Sequence, residues 1–308
     1  MMDHADIEAI HGAVGGELDA PLGPLTTYRV GGPAALMVEV GDDLTLARLG
    51  AAIAAHPVDV MIIGRGSNLL VADAGFAGVA VRLGGTFEEF AIDPDGGRVR
   101  AGAAVSFPVL ARHSVAAGLR GLEWAVGVPG SVGGAVRMNA GGHGSDVAAS
   151  LVEIRRFDLR SGQDRIVAAS ALELGYRTSA LSSHHAVVEA TFALEPGSVE
   201  AGERVIGEIV RWRRENQPGG QNAGSVFVNP PGDSAGRLIE VAGAKGLRVG
   251  SAEVSPRHAN FIQADPGGSA ADVVELMAQV RQMVIDQCGI DLRPETVLVG
   301  FDDVLGGS

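Results

Sequence analysis

Apolar and polar residues alternate along Ala35-Leu-Met-Val-Glu-Val40, the pattern of a half-buried strand. The period then lengthens. Between Leu44 and Ala55, Leu44, Ala47, Ala51, Ile53 and Ala54 have helical spacing, which predicts a helix. Val58-Asp-Val-Met-Ile-Ile63 is a short apolar run and predicts a buried strand ending in Gly64-Arg-Gly-Ser-Asn-Leu-Leu70. Val79 to Leu83 predicts another. Strand, helix, strand, glycine loop and strand make one small α/β unit, preceded by an amphipathic start and a turn up to about Gly23.

Gly84-Gly85 breaks the pattern. Strands are predicted at Phe90–Ile92 and Val99–Ala101, then a helix from Phe107 to Ala117 with Pro108 in its first turn. Leu151–Leu159 and Val187–Leu194 read as strands on either side of a loop carrying Tyr176-Arg177. Glu195-Pro-Gly-Ser198 reads as a linker. Beyond it the pattern is more helical. Val205 to Trp212 has spaced apolar residues and runs into Arg211, Arg213 and Arg214, and Pro218 to Gly224 is a long turn. Ser234 is placed to cap a helix through Val241, and Ser269 a second one with Val273, Leu276, Met277, Val280 and Val284 on one face. Thr296 to Phe301 predicts a last strand. There is no internal repeat and no low-complexity tract.

The stretch Val126 to Gly142 fits neither period. Gly127, Gly130, Gly133, Gly134, Gly141 and Gly142 are too many glycines for a helix interior, and apolar alternation is too weak for a surface strand. A backbone so bare can take positive φ and present consecutive N–H groups to an anion such as a diphosphate. A run of tight turns is the equally weighted reading. The Gly64–Leu70 loop at a strand end is a second candidate, and two such loops in successive subdomains can clasp one dinucleotide. Neither loop has the G-x-G-x-x-G fingerprint followed by an acidic residue, so an ordinary nicotinamide Rossmann site is not indicated.

Composition narrows the classes. The chain has 308 residues, enough for two or three domains, and its 46% hydrophobic content supports real cores. Its net charge of −13 disfavours nucleic acid, whose phosphates need clustered cations. An anionic small substrate would need a local basic patch, for which Arg211, Arg213, Arg214, Arg237, Arg248 and Arg257 are candidates. The single Cys288 excludes an intrachain disulfide and, lying in a helical pattern, is expected as a core thiol. The acidic start Met1-Met-Asp-His-Ala-Asp6 lacks a signal-type apolar run, and no stretch approaches the ~18 apolar residues of a membrane span. A soluble cytoplasmic protein is expected.

Three residues suggest chemistry. Ser225, in Gly224-Ser-Val-Phe-Val-Asn-Pro230, is either a turn serine or a hydroxyl placed to give a proton to a strongly basic carbon or oxygen. No histidine sits near it in sequence as an activating partner, which disfavours acyl transfer. Glu295, after Pro294, is an inert strand-start carboxylate or an acid. Arg177 lies in a solvated loop or forks onto a carboxylate. Together they would suit an enolate: arginine holds the acid, serine protonates carbon, and neutral glutamate donates to oxygen. His258 reads as structural, His143 sits in the glycine stretch, and His184-His185 reads as a solvated loop without metal-ligand spacing.

The ordered motifs Thr27-Tyr-Arg-Val-Gly-Gly-Pro33, Gly64–Val71, Gly127–Gly141, Tyr176-Arg-Thr-Ser179, Gly224–Pro230, Val254-Ser-Pro-Arg-His-Ala-Asn-Phe261 and Pro294-Glu295 resemble the UDP-N-acetylenolpyruvoylglucosamine reductases over nearly the whole chain. The resemblance implies an α+β protein. It would have a two-subdomain FAD-binding module of the vanillyl-alcohol-oxidase type over residues 1–84 and 85–197, and a C-terminal α/β substrate domain over 198–308. It implies FAD and NADPH as cofactors, a UDP-sugar substrate in peptidoglycan precursor synthesis, no metal, no membrane or nucleic-acid partner, and a monomer. It gives catalytic roles to Arg177, Ser225 and Glu295, and substrate contacts to Tyr176 and Asn229. It gives flavin contacts to Gly64, Arg65, Gly66, Ser67, Asn68, Leu69, Gly127, Val128, Pro129, Gly130, Ser131, Gly133, Gly134, Asn139 and Gly141. Val228 departs from the pattern, standing where the family usually has Lys or Arg. With Tyr28 and Tyr176 as the only tyrosines, both inside motifs, the chain resembles the branch without a tyrosine loop. Another flavin oxidoreductase of the same fold, and a non-catalytic flavin-binding homologue, are the alternatives.

Overall fold

The computed structural model describes residues 4–301. The first three residues of the acidic start, and residues 302–308 of the expected C-terminal domain, lie outside the described residues. By packing, the chain forms two units, neither continuous in sequence. One comprises the chain up to Leu18, Ala35–Arg65 and Gly78–Arg213. The other comprises Asp19–Ala34, Gly66–Ala77 and the chain from Arg214. The breaks at Gly84 and Glu195 mark changes of pattern, whereas packing draws two short early segments in with the C-terminal third.

The first unit holds two large sheets and two short two-stranded ladders. Helix α1 (His4–Val14) leads into β1 (Glu17–Pro21), a strand the turn reading did not foresee. Strand β2 (Pro33–Val40) buries Ala34, Leu36, Val38 and Val40, the inward half of its alternation. Helix α2 (Asp43–Ala55) begins where the Asp42 carboxylate accepts from Thr45 N–H, and it buries Leu46, Leu49 and Ile53. Strand β3 (Val60–Ile63) pairs in parallel with β5 (Phe76–Leu83), and the sheet order is β1-β2-β5-β3. Between them in sequence lies β4 (Leu69–Val71), a three-residue strand of the second unit.

The second sheet of this unit is antiparallel. It contains β6 (Phe90–Asp93), β7 (Arg98–Gly102), β8 (Leu151–Asp158), β9 (Asp164–Ala168) and β10 (His185–Ala193), in the order β9-β8-β10-β7-β6. Strand β9 was not expected, because its apolar content is only Ile166, Val167 and Ala168 and it lies at the sheet edge. Helix α3 (Phe107–Ala116) carries Pro108 in its first turn. Phe107 meets Trp124 edge-on at 5.5 Å between ring centroids.

The glycine stretch contains a helix, α4 (Val132–Arg137), which corrects the expectation of no helical interior. Closeness to β7's continuation compensates for the low helix propensity of glycine. Gly133 N–H donates to Ala103 O and Val132 N–H to Val105 O, both at 2.9 Å. A methyl group on Gly133 would lie 2.9 Å from Ala103 Cβ. Helix α5 (Val199–Asn216) follows the expected linker.

In the second unit, α6 (Ala235–Val241) is capped by Ser234 and α7 (Ala270–Cys288) by Ser269, as their sequences predict. The Asp73 carboxylate adds three bonds at the start of α7, from Ala270 N–H, Ala271 N–H and Ser269 Oγ–H. Cys288 is the last residue of α7 and is only partly buried, which corrects its reading as a core thiol. Strands β11 (Ala252–Val254) and β12 (Ile262–Ala264) pair antiparallel. The last strand, β13 (Val297–Val299), runs parallel to β4 with Val297 opposite Leu69. No described helix is long and apolar enough to cross a membrane.

Candidate active site

In the first unit the two glycine loops meet. A methyl group on Gly64 would fall well inside van der Waals contact with Ser131 Oγ. That hydroxyl accepts from Gly134 N–H at 3.3 Å and caps α4. The first three N–H groups of α4 are therefore satisfied inside the protein, by Val105, Ala103 and Ser131. This narrows the anion-cradle expectation. Gly133 and Gly134 bring the helix close to its neighbours, and the surface on offer is Gly127-Val-Pro129 with Gly64-Arg65. A Cβ on Gly127 would stand 3.3 Å from the His143 ring and 3.5 Å from Ile209 Cγ2. His143 in turn meets Trp212 edge-on at 5.2 Å, and burial followed by the Arg213 charge pushes its pKa down, so the ring is neutral near pH 7.

Arg177 sits at the tip of a tight turn in which Gly175 and Thr178 exchange backbone hydrogen bonds of 3.1 and 3.2 Å. Its φ of +59° is the left-handed region, rare outside glycine, and marks a position held by its surroundings. Its Nη2–H donates to Gly141 O at 2.9 Å, and its guanidinium lies 5.2 Å from the centre of the exposed Tyr176 ring. Asn139 fixes this turn. It is 2% exposed, its Nδ2 donates to Gly175 O and Asp146, and its Oδ1 accepts from Ala148 N–H. Its side chain is spent within the protein, so any contribution to ligand binding comes from its backbone.

In the second unit Gly66, with φ +60°, starts the Gly66-Ser-Asn-Leu69 segment, and its carbonyl accepts from Thr27 N–H at 3.1 Å. Asn68 ties this segment to the last strand. Its Nδ2 donates to Glu295 O at 3.0 Å, and its own carbonyl accepts from Val297 N–H. Glu295 N–H donates to Val226 O at 2.8 Å, and Val228 N–H to Arg293 O at 2.9 Å. Glu295 thus lies opposite Val226 on two hydrogen-bonded antiparallel segments, about 70 residues apart in sequence, with Ser225 the residue before Val226. Ser225 and Glu295 are both partly exposed.

Asn229 is exposed and its Oδ1 accepts from Ala235 N–H at the start of α6. Val228 is 7% exposed, so this chain buries an apolar side chain where a cation was expected. His258 Nδ1 accepts from Asn260 N–H, and its ring meets Phe261 at 4.7 Å, a structural role. A hollow of about 230 Å³ lined by Gly220, Gln221, Glu253, Gln263, Asp265 and their neighbours contains none of the expected site residues.

One cluster escaped the sequence reading. Asp158, His184 and His185 bring ligand-type atoms within 4.8 Å of one another. Asp158 is distant in sequence, so no spacing could reveal it. Arginine charges surround the cluster, and His185 Nδ1 already accepts from Ser182 N–H. Burial, then Arg156 and Arg137, push both histidines down, with Arg160 adding to this at His184.

Residues 34–163 match the model of an FAD-binding domain, and residues 216–299 match that of the C-terminal domain of UDP-N-acetylenolpyruvoylglucosamine reductase. The class is accordingly an FAD-binding module joined to a C-terminal reductase domain. The chain is 43% identical to the UDP-N-acetylenolpyruvoylglucosamine reductase of Heliobacterium modesticaldum over 283 residues, 91% of this chain and 89% of that one. It is 40% identical to that of Methylorubrum extorquens over 98% of this chain and 99% of that one. The crystal structure of the enzyme from Thermus caldophilus superposes with a TM-score of 0.79 at 36% identity, covering 91% of this chain and 97% of that chain. The chain belongs to the UDP-N-acetylenolpyruvoylglucosamine reductase family.

Proposed function

We propose that this protein reduces UDP-N-acetylglucosamine enolpyruvate to UDP-N-acetylmuramate, using NADPH and FAD, for peptidoglycan precursor synthesis. The observation that carries the reading is that the Ser225-Val226 and Glu295 segments are hydrogen-bonded neighbours in one unit. The exposed backbone of Gly64-Arg65 and Gly127-Val-Pro129 suits close approach of a flat or extended cofactor. Held there, FAD would supply the two-electron redox chemistry between NADPH and the enolpyruvyl group.

The chain's own residues then manage charge and a proton. Hydride addition leaves negative charge on the carboxylate-bearing carbon and its oxygens. Arg177 holds the carboxylate through its guanidinium, which the Gly141 carbonyl and the Tyr176 ring keep oriented. Glu295, in its protonated form, steadies the enolate oxygen by donating a hydrogen bond to it. Ser225 gives its hydroxyl proton to the adjacent carbon and recovers one from water, so one hydride and one proton complete the saturated product. Tyr176 and Asn229 contact the substrate. The reaction is set in the cytoplasm, and the protein acts as a monomer.

Ser225→Ala tests the proton donor. Its flavin should bleach with NADPH at close to the normal rate. Its reoxidation by the enolpyruvyl substrate should slow by on the order of 10²–10⁴-fold. Unchanged reoxidation would remove Ser225 from the mechanism.

A further inference from the structure

The reaction does not explain the role of the motif Val254–Phe261. It contains Asn260, which is 3% exposed. The Asn260 side chain closes a two-bond ring on the backbone of Phe227. Phe227 N–H donates to Oδ1 at 3.0 Å, and Nδ2 donates to Phe227 O at 2.8 Å. The Asn260 carbonyl also accepts from Val226 N–H at 2.9 Å. One residue thus does for Val226-Phe227 what a neighbouring strand would do. The opposite edge is held by Glu295 N–H on Val226 O and by Arg293 O on Val228 N–H.

Next to Ser225 on the upstream side, Gly224 has φ +79°, no atom within 4 Å of a built Cβ, and an N–H that donates to Asn222 two residues away, and the nearest buried residue is Ala223. Val226 and Phe227, directly downstream, are the more closely bonded hold on Ser225. Asn260 is itself held in a tight loop. Its N–H donates to His258 Nδ1, Phe261 N–H donates to His258 O, and Ser255 N–H donates to Phe261 O.

We propose that Asn260 is a positioning residue, which through the Phe227 backbone sets the reach of the Ser225 hydroxyl toward the reacting carbon. This rests on the reading of Ser225 as proton donor. It assigns the His258-Ala-Asn260 segment to holding the donor rather than to the chemistry. An asparagine is required because the site needs one acceptor and one donor, side by side, in a buried place.

The test uses Asn260→Asp and Asn260→Leu in the flavin-loaded protein, with Ser225→Ala as comparator. The aspartate keeps volume and the acceptor for Phe227 N–H but, ionised, offers no donor to Phe227 O. Leucine removes both bonds, and if it does not fold the aspartate variant carries the test alone. Amide exchange of the peptide spanning residues 224–229 should quicken in both variants. In anaerobic single turnovers, reduction by NADPH should stay within about twofold, while reoxidation by UDP-N-acetylglucosamine enolpyruvate should slow by on the order of 10²-fold, as expected for a displacement near 1 Å. The solvent deuterium effect on reoxidation should grow, because proton delivery becomes the slow step. Rate constants per flavin are independent of how much protein is active, so a merely structural loss would not produce this split.

Normal reoxidation in the Asn260 variants with slow reoxidation in Ser225→Ala would overturn the positioning role and leave the proton donor intact. Normal reoxidation in all three would overturn the proton-donor reading itself. Equal slowing of both half-reactions in the Asn260 variants would also overturn the proposal.

Discussion

Alanine at Gly64 perturbs the contact between the two glycine loops with a single methyl group. Gly64 does not have a positive φ, so its backbone accepts alanine without strain. The new carbon would fall inside contact with Ser131 Oγ but 3.4 Å from Ser131 Cβ, an ordinary separation. Relief therefore requires only that Oγ rotate away, and in rotating it gives up the N–H of Gly134. The cost is that of a lost N-cap, about 1 kcal/mol. For a chain of this size that lowers Tm by about 2–4 °C. Ser131→Ala loses the same cap for the same cost. In the double variant the clash is gone and the cap is already absent, so the total should remain about 1 kcal/mol rather than about 2. Thermal unfolding of the four apoproteins, followed by circular dichroism, measures this coupling. If the two losses add in the double variant, the residues do not share the contact and the meeting of the loops is wrong.

Two further outcomes follow from the packing. Asp73→Ala should cost about 1 kcal/mol at pH 7 by removing the carboxylate from the start of α7. Burial pushes the Asp73 pKa up, but the N–H groups of Ala270 and Ala271 and the Ser269 hydroxyl outweigh it and hold it below the usual carboxylate range. The contribution is then present above the unfolded value of about 4 and is lost as pH falls through the lower folded value. Urea unfolding should show the gap between wild type and variant closing below about pH 4. Gly133→Ala should cost about 1–3 kcal/mol by overpacking against Ala103, and a companion Ala103→Gly should restore most of it in the same assay.

The elements that the sequence revealed were those whose pattern is local. The alternation of β2, the five-residue face of α7 and the two serine caps each lie within a few turns of chain. Helix α4 was hidden because glycine lowers local helix propensity, while the contact with Ala103 that favours it lies some 30 residues away. Strand β4 was hidden because three residues carry no period, and its partner, β13, is more than 220 residues further on. The same pairing explains why the second unit draws on Gly66–Ala77, which no change in composition marks. Of the candidate site, the glycine loops, Arg177, Ser225, Glu295 and the motif positions Asn139 and Asn260 were legible in the sequence. The holding role of the two buried asparagines was not, since it depends on their partners, Gly175 and Phe227, which lie elsewhere in the chain.

The central claim is that one chain binds FAD, draws electrons from NADPH and passes them to an enolpyruvyl UDP-sugar. An anaerobic spectrum tests it in a single cuvette. The oxidised flavin band of the purified, FAD-loaded protein should bleach on adding NADPH and return on adding UDP-N-acetylglucosamine enolpyruvate. A flavin that bleaches and stays bleached would contradict the substrate, and a protein that takes up no FAD would contradict the account of both glycine loops.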